Sequence, residues 1–576
     1  MDSIIVVVAS ILAALAGTYV LRGVRFRLQL SRAKHPSLQG HSRIARRVAR
    51  LVPFYEYTED ELFQCDGAPS DVARRRRDAF GRLATLLDER APRTASMTAA
   101  IENAMSDVQF VNAYRVPFQF RNYVRQHLKL GMIAEESAGP RIKDADGNWA
   151  YDLAGSYGVN VFGYEFYKEC MEEGFRRAQA LGPVLGNYHP LVADNVERLK
   201  SISGQDEISF HMSGTEAVMQ AVRLARFHTG RSHLVRFCGA YHGWWDGVQP
   251  GVGAQRMAND VYTLKDVSED SLKVLRTRRD IGCVIVSPFQ ALHPNAGAPG
   301  DATLVASDRG CHFDDERYRQ WLEALRAVCS EKGIVLIFDE VFSGFRLAYG
   351  GAQEYFGVRA DLVTYGKTLG GGLPVGVVCG RRDLMKRYRD DRPTNICFAR
   401  GTFNSHPYVM ACMNVFLERI QDPAIREGYP AIRRIWDERA QRLNEALQSR
   451  GLPVRIVNLV SIWSVLYTVP SRYNWMFQFY LRAEGLLLAW TGTGRLILSH
   501  DYNEEEFREV MERFVAAAER MGSDGWWWQG SRLTNRSIKK RILREMLAQR
   551  MGWGKKATNA SRPGVDDHEG TLSARQ

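Results

Sequence analysis

Residues Ile334–Phe338 form a short run of β-branched and large apolar side chains with no polar alternation. A segment of strand length that is apolar at every position reads as a strand covered on both faces, as in a parallel sheet flanked by helices. The run ends in Asp339. In open α/β sheets a polar side chain at the carboxyl end of such a strand points into the crevice where ligands bind. Val363 and Thr364 read as the next short strand, and Lys367 leaves its end 28 positions after Asp339. Gly370, Gly371 and Gly372 follow and let the backbone approach a bound group. Taken singly, such an acid is an ordinary helix cap or ion-pair partner, and such a lysine an ordinary solvated loop residue.

Two upstream segments add to the pair. Glu207–Met212 reads as a strand, Ser213-Gly214-Thr215 as a tight loop, and Glu216–Arg226 as a helix with Ala217, Ala221, Leu224 and Ala225 on its apolar side. Strand, small-residue turn and helix start make an anion site, because unpaired N–H groups and the positive end of the helix dipole converge there. The strand His233–Phe237 then runs into Cys238-Gly239-Ala240-Tyr241-His242-Gly243, so Tyr241 arrives at the same sheet edge, where an aromatic ring can lie flat on another. A phosphate loop, a stacking ring, a carboxylate and a lysine at neighbouring strand ends together suit pyridoxal phosphate.

The segments Ser213–Ala217, Tyr241–Gly243, Asp339–Arg346, and Gly366-Lys367 with Gly370–Gly376 resemble the class III pyridoxal-phosphate aminotransferases. Within that group, Tyr349–Gly357 and Gly401-Thr402-Phe403 most resemble the glutamate-1-semialdehyde aminomutase branch, and the resemblance covers roughly residues 131 to 520. It implies an α/β protein of fold type I: a mixed, mostly parallel seven-stranded sheet with helices on both faces, plus a smaller α+β domain. Lys367 would be the Schiff-base and proton-shuttling lysine, and Asp339 the partner of the pyridinium nitrogen. Ser213, Gly214 and Thr215 would hold the phosphate, and Tyr241 with its neighbour His242 would complete the ring contacts. Relatives are homodimers, so Thr402 would reach the phosphate of the neighbouring subunit. Asp144–Asn148 and Tyr151–Gly158 resemble the hairpin lining the substrate side, which makes Ser156 and Tyr157 substrate contacts. Arg121 or Arg125, ahead of that hairpin, would bind a substrate carboxylate.

Departures from the family pattern fall on the substrate side. Ser287 stands where relatives carry an acid before the proline, Tyr157 where the aminomutases carry tryptophan, and Asn404-Ser405-His406 differs as well. Cofactor chemistry is therefore expected to be retained while the substrate changes.

The chain ends carry a separate message. Ile4–Leu21 is eighteen residues without a charge, close to the roughly 20 that cross a bilayer as a helix. Residues 22–50 hold nine arginines and lysines and no acid, so the positive-inside rule predicts a single-pass anchor with the enzyme on the cytoplasmic side. The rivals are a signal peptide cleaved near Ala14-Leu15-Ala16 and a buried amino-terminal helix. Trp526-Trp527-Trp528 and a basic, half-apolar pattern over residues 532–550 suit a helix on anionic lipid, on a partner subunit, or on the protein's own surface. The polar stretch Ala557–Gln576 reads as disordered.

The net charge of +12 concentrates in these termini, which argues for acidic lipid and against a nucleic-acid groove. Nine scattered cysteines show no disulfide framework or zinc spacing, and no metal cluster is visible. The expected organisation is an anchor and basic flank (1–30), a helical extension (31–130), the two halves of the small domain (131–199 and 401–525), the large cofactor-binding domain (200–400) and a basic tail (526–576). The expected function is transfer of an amino group from a small amine donor to an aldehyde or ketone acceptor, with membrane tethering favouring a lipophilic or carrier-bound one. An intramolecular aminomutase and a membrane-anchored scaffold without turnover are the alternatives.

Overall fold

The computed structural model describes residues 2–35, 41–249, 253, 256, 259–288, 314–489 and 494–552. Its centre is a seven-stranded sheet of β1 (Glu207–His211), β2 (His233–Phe237), β3 (Val261–Leu264), β4 (Ile281–Val286), β5 (Val335–Asp339), β6 (Leu362–Gly366) and β7 (Gly376–Gly380), in spatial order β1-β7-β6-β5-β4-β2-β3. β7 runs antiparallel to both neighbours and every other pairing is parallel.

The apolar run read from the sequence explains why β5 lies at the middle. Leu336 and Phe338 pack with Leu322 and Leu325 of the helix Asp315–Lys332, whereas Val335 and Ile337 pack with Ala221 and Val222 of the helix Gly214–Thr229. Successive side chains of a strand point to opposite faces, so a strand with a helix on each side must be apolar throughout. Gly333 ends the first of these helices at φ +59°, a left-handed cap that glycine adopts without a Cβ penalty.

Residues from both sides of the large sheet form the outer part of the molecule. Leu486-Leu487 pairs in parallel with Tyr151-Asp152, closing the sheet built on Ala134–Ala138, Arg141–Asp144 and Trp149–Asp152. A second sheet joins Val454–Leu459, Ile462–Tyr467 and Arg495–Ile497, with the helices Tyr429–Ser449 and Glu504–Ser523 nearby. The helical pattern at Asp71–Leu87 becomes the helix Ser70–Arg90. Its Arg76 is fully buried, pairs with Asp66 at 2.7 Å and donates from Nε to the Gly525 carbonyl at 2.9 Å. Extension and carboxyl-terminal segment thus share one interior.

Segments at both ends of the chain pack on the body. Among the described residues no helix is long and apolar enough to cross a membrane; the run Ile4–Leu21, expected as a single-pass anchor, includes Ile4, Val6 and Ala9, whose side chains lie outside the described residues. The apolar residues open one continuous helix, Asp2–Ala33, whose second half carries Arg22, Arg25, Arg27 and Arg32 and docks on the body. The Ala33 carbonyl accepts the Lys265 N–H at 2.8 Å, and the Gln29 side chain accepts the Thr277 hydroxyl at 3.1 Å. Ile11, Leu12 and Leu15 are exposed, so the apolar half is not buried in the body of the chain.

At the other end Trp526 and Trp527 are buried rather than interfacial, with Trp526 Nε1 donating to the Tyr480 hydroxyl at 2.7 Å. The basic helix Asn535–Arg550 packs on the protein's own surface. Its Glu545 accepts from the Tyr57 hydroxyl at 2.5 Å and pairs with the buried Arg472 at 2.7 Å. The polar stretch Ala557–Gln576 lies outside the described residues.

Candidate active site

The carboxyl ends of β1, β5 and β6 open onto one cavity of about 780 Å³. Asp339 reaches it from the last position of β5, where the residue is 5 % exposed. Oδ2 lies 2.7 Å from His242 Nδ1, and Oδ1 accepts from the Thr364 hydroxyl at 3.1 Å and the Val341 N–H at 3.2 Å. Burial pushes the His242 pKa down, with Asp339 opposing. The imidazole is therefore neutral at pH 7 and donates its Nδ1 proton to the carboxylate. Asp339 is the only carboxylate among the described residues lining the cavity.

Lys367 follows directly on β6, at φ +50°. A lysine in the left-handed region costs roughly 1–2 kcal/mol, which the packing around it must offset. Its Nζ donates to the Tyr157 carbonyl at 2.7 Å and lies 4.8 Å from the centre of the Phe342 ring. Desolvation brings its pKa down to about 8; Asp339 pulls upward, while Arg346 and Arg495 push down. A larger fraction of this amine is thus unprotonated near neutrality than for a solvated lysine.

Across the cavity, Ser213 caps the helix Gly214–Thr229 by accepting the Glu216 N–H at 3.2 Å, and Glu216 accepts the Met212 N–H at 3.0 Å. A Cβ on Gly214 would meet Val341 Cγ1 at 2.6 Å, so only a bare backbone fits there. Gly243 sits at φ +93°, and a Cβ on it would meet Thr215 Oγ1 at 2.5 Å. The turn therefore presents amides at the positive end of a sixteen-residue helix. Tyr241, half exposed, stands beside it.

The substrate side assembles differently. Ser156 and Tyr157 are two consecutive residues in the left-handed region, at φ 45° and 58°. The turn is held by Asp152, which accepts the Ala154 N–H at 2.8 Å and the Tyr164 hydroxyl at 2.7 Å, and by a 2.9 Å contact between Ser156 Oγ and that hydroxyl. Tyr157 and Ser287 line the cavity; Ser156 does not.

The structure does not bring Arg121 and Arg125 there. Both sit on the helix Arg121–His127 and line a separate small cavity, shared with Ala95, Thr98 and Ala99 of the helix Pro92–Glu102. Thr402 is exposed in the turn 401–406 and lies off the cavity. The residue that sequence reasoning missed is Arg495, the only arginine among the described lining residues. Its signal was a charged residue opening a strand whose other residues, Leu496 and Ile497, are apolar.

The family model for class III aminotransferases matches residues 123–273 and 302–518. The chain belongs to this family. Among its relatives, a glutamate-1-semialdehyde 2,1-aminomutase of Citrifermentans bemidjiense is 29 % identical over 459 residues, covering 73 % of this chain and 98 % of the relative. The enzyme of the same name from Hyperthermus butylicus is 35 % identical over 316 residues, covering 55 % of this chain and 71 % of the relative. A solved transaminase with PLP bound is 25 % identical, covers 69 % of this chain and 92 % of its own, and superposes with a TM-score of 0.58. The glutamate-1-semialdehyde-aminomutase of Pseudomonas aeruginosa PAO1 shares the fold, with a TM-score of 0.62 at 17 % identity over 78 % of this chain and 99 % of its own.

This class III enzyme uses pyridoxal phosphate. The residues present fit it: a bare-backbone anion turn, one buried carboxylate for a protonated ring nitrogen, and a desolvated amine reach a single cavity. The buried His242 Nε2 has no hydrogen-bond partner among the described residues.

Proposed function

We propose that the enzyme moves an amino group from a small primary amine donor to a lipophilic aldehyde or ketone, free or carrier-bound. The observation that carries the acceptor class is the cavity wall. Val159, Val218, Phe342, Leu373 and Ile497 line it, Ser287 stands where relatives carry an acid, and Asp339 is its only described carboxylate. Apolar surface of this extent favours a ligand that buries hydrocarbon.

In this reading the turn Ser213-Gly214-Thr215 holds the cofactor phosphate and Tyr241 covers the ring. Asp339, braced by His242, Thr364 and the Val341 amide, keeps the ring nitrogen protonated. Bound there, the cofactor supplies an electron sink for a carbon that has lost a proton. Lys367 Nζ takes that proton from the substrate carbon and returns it. Arg495 meets the carboxylate of an amino-acid donor. Two subunits complete the site: Trp244, Phe398 and Phe403 are exposed aromatics in the segments of Tyr241 and Thr402, and an apolar rim of this kind fits a homodimer. Thr402 then serves the partner's phosphate.

An amine-exchange assay of the full chain tests this, with product identified by mass spectrometry. Long-chain aldehydes are expected to be aminated faster than short keto acids; the reverse preference overturns the acceptor class. The names of the relatives favour a second reading, an aminomutase of glutamate-1-semialdehyde type. Turnover of that substrate with no added amine donor would establish it.

A further inference from the structure

The helical extension contains a cavity of about 70 Å³ that shares no described lining residue with the active site. Arg115, Arg121, Arg125 and Lys129 line it, against a single carboxylate, Glu102. Glu102 is already engaged: Oε1 accepts from Asn112 Nδ2 at 3.1 Å and stands 3.8 Å from Arg125. Lys129 stands 4.0 Å from Asp88. Glu56 acts on Arg121 only at longer range, and Arg121 makes no ion pair within 4 Å among the described residues.

Arg115 is the decisive side chain. It is 6 % exposed, its Nε finds no hydrogen-bond partner, and no carboxylate lies within ion-pair distance among the described residues. Its neighbour Arg482 bonds, among the described residues, to the carbonyls of Leu488 and Ala489, at 3.2 and 3.3 Å, and repels it. Burial brings the Arg115 pKa down to about 10, with partial relief from Tyr157. An unpaired buried guanidinium carries a large desolvation penalty that a bound anion removes. Arginine suits the planar or tetrahedral oxygens of carboxylate and phosphate.

We propose that this cavity binds a compact oxyanion, a carboxylate or phosphate group, at a site separate from the cofactor and substrate. Its size admits one such group, with Ala99, Val116, Leu128 and Phe479 closing the remaining wall. The inference rests on family membership only in that the cofactor-loaded enzyme is used, so that the cofactor's own phosphate site is filled.

The test is calorimetric titration of cofactor-saturated enzyme with orthophosphate and, separately, with succinate, at ionic strength matched with chloride. Saturable binding of one oxyanion per subunit is expected, and the arm that binds tells whether phosphoryl or carboxylate sources are taken. Arg115→Gln is expected to weaken it about tenfold or more, the size of one lost charge-assisted contact. Because a buried arginine can also matter for folding, Arg121→Gln is measured in parallel and is expected to weaken binding while leaving the unfolding midpoint unchanged. Absence of saturable binding in both arms, or binding indifferent to both substitutions, overturns the proposal.

Discussion

The rim of the large sheet and the outer shell around it are built on opposite principles. On the rim, three chemical groups sit within a residue or two of a strand end or helix start: Asp339 closes β5, Lys367 follows β6, and Ser213 caps the helix after β1. In the shell, neighbours come from opposite ends of the chain. Arg76 bonds to Gly525, Tyr57 to Glu545, and Cys65 to Tyr473. Local placement fixes direction cheaply, since a strand end can point a side chain only one way. Long-range placement needs a complete interior, so the shell orders itself through buried ion pairs and indoles.

Lys367→Ala should separate the two regions most sharply. If Lys367 carries the proposed proton transfer, losing its amine is expected to lower kcat on the order of 10⁴-fold, the upper end for general acid–base catalysis. The thermal midpoint should scarcely move, because alanine keeps the same backbone and what is lost, the contact of a desolvated amine with the Tyr157 carbonyl, is offset by relief of its burial. Steady-state kinetics and calorimetry read the two numbers. A residual rate within tenfold of wild type would show that the rim does not carry the chemistry.

Arg76→Ala is the converse probe. It strips a fully buried partner from Asp66, and removing one member of a buried pair costs about 3–5 kcal/mol. Denaturant unfolding should register that loss while the turnover number per folded molecule stays unchanged. A fall in turnover without a fall in stability would mean that the shell tunes the site directly.

Third comes Asp339→Asn, expected to slow turnover on the order of 10²- to 10³-fold, the range for removing one preorganised electrostatic partner. A pH profile sharpens it. In cofactor-free enzyme the Lys367 amine should become reactive toward an amine-selective reagent around pH 8, its pKa being depressed by burial. Because Asp339 acts upward on that value, its neutralisation should move the inflection further down. An inflection that rises, or stays near 10.5, would contradict the assigned surroundings.

The same contrast explains what could be read from the sequence. The sheet class, the centre strand, the capped turn at Ser213 and the placing of Asp339 and Lys367 at strand ends were legible because each is a short pattern whose geometry follows from its own element. The brace from His242 Nδ1 to Asp339 was not, since it links residues 97 positions apart. Arg121 and Arg125 were chosen by counting along the chain, but the fold carries that helix away from the rim and brings Arg495 instead from a distant strand. The apolar run Ile4–Leu21 has the length of a bilayer span by composition; its continuation into a basic helix that docks on the enzyme is a tertiary fact.

The smallest effect tests where rim and shell touch, at Ser156. Glycine there removes the cost of a side chain at φ 45°, which is roughly 1–2 kcal/mol. It also deletes the hydroxyl 2.9 Å from Tyr164, a contact that contributes about 0.5–1.5 kcal/mol. The two terms nearly cancel, so Ser156→Gly should shift unfolding free energy by less than about 1 kcal/mol. The turn also positions the Tyr157 carbonyl that holds Lys367 Nζ, and a glycine there loosens it. KM for the carbonyl acceptor should therefore rise with little change in stability, and a stabilisation well above that bound would show that the Tyr164 contact contributes nothing.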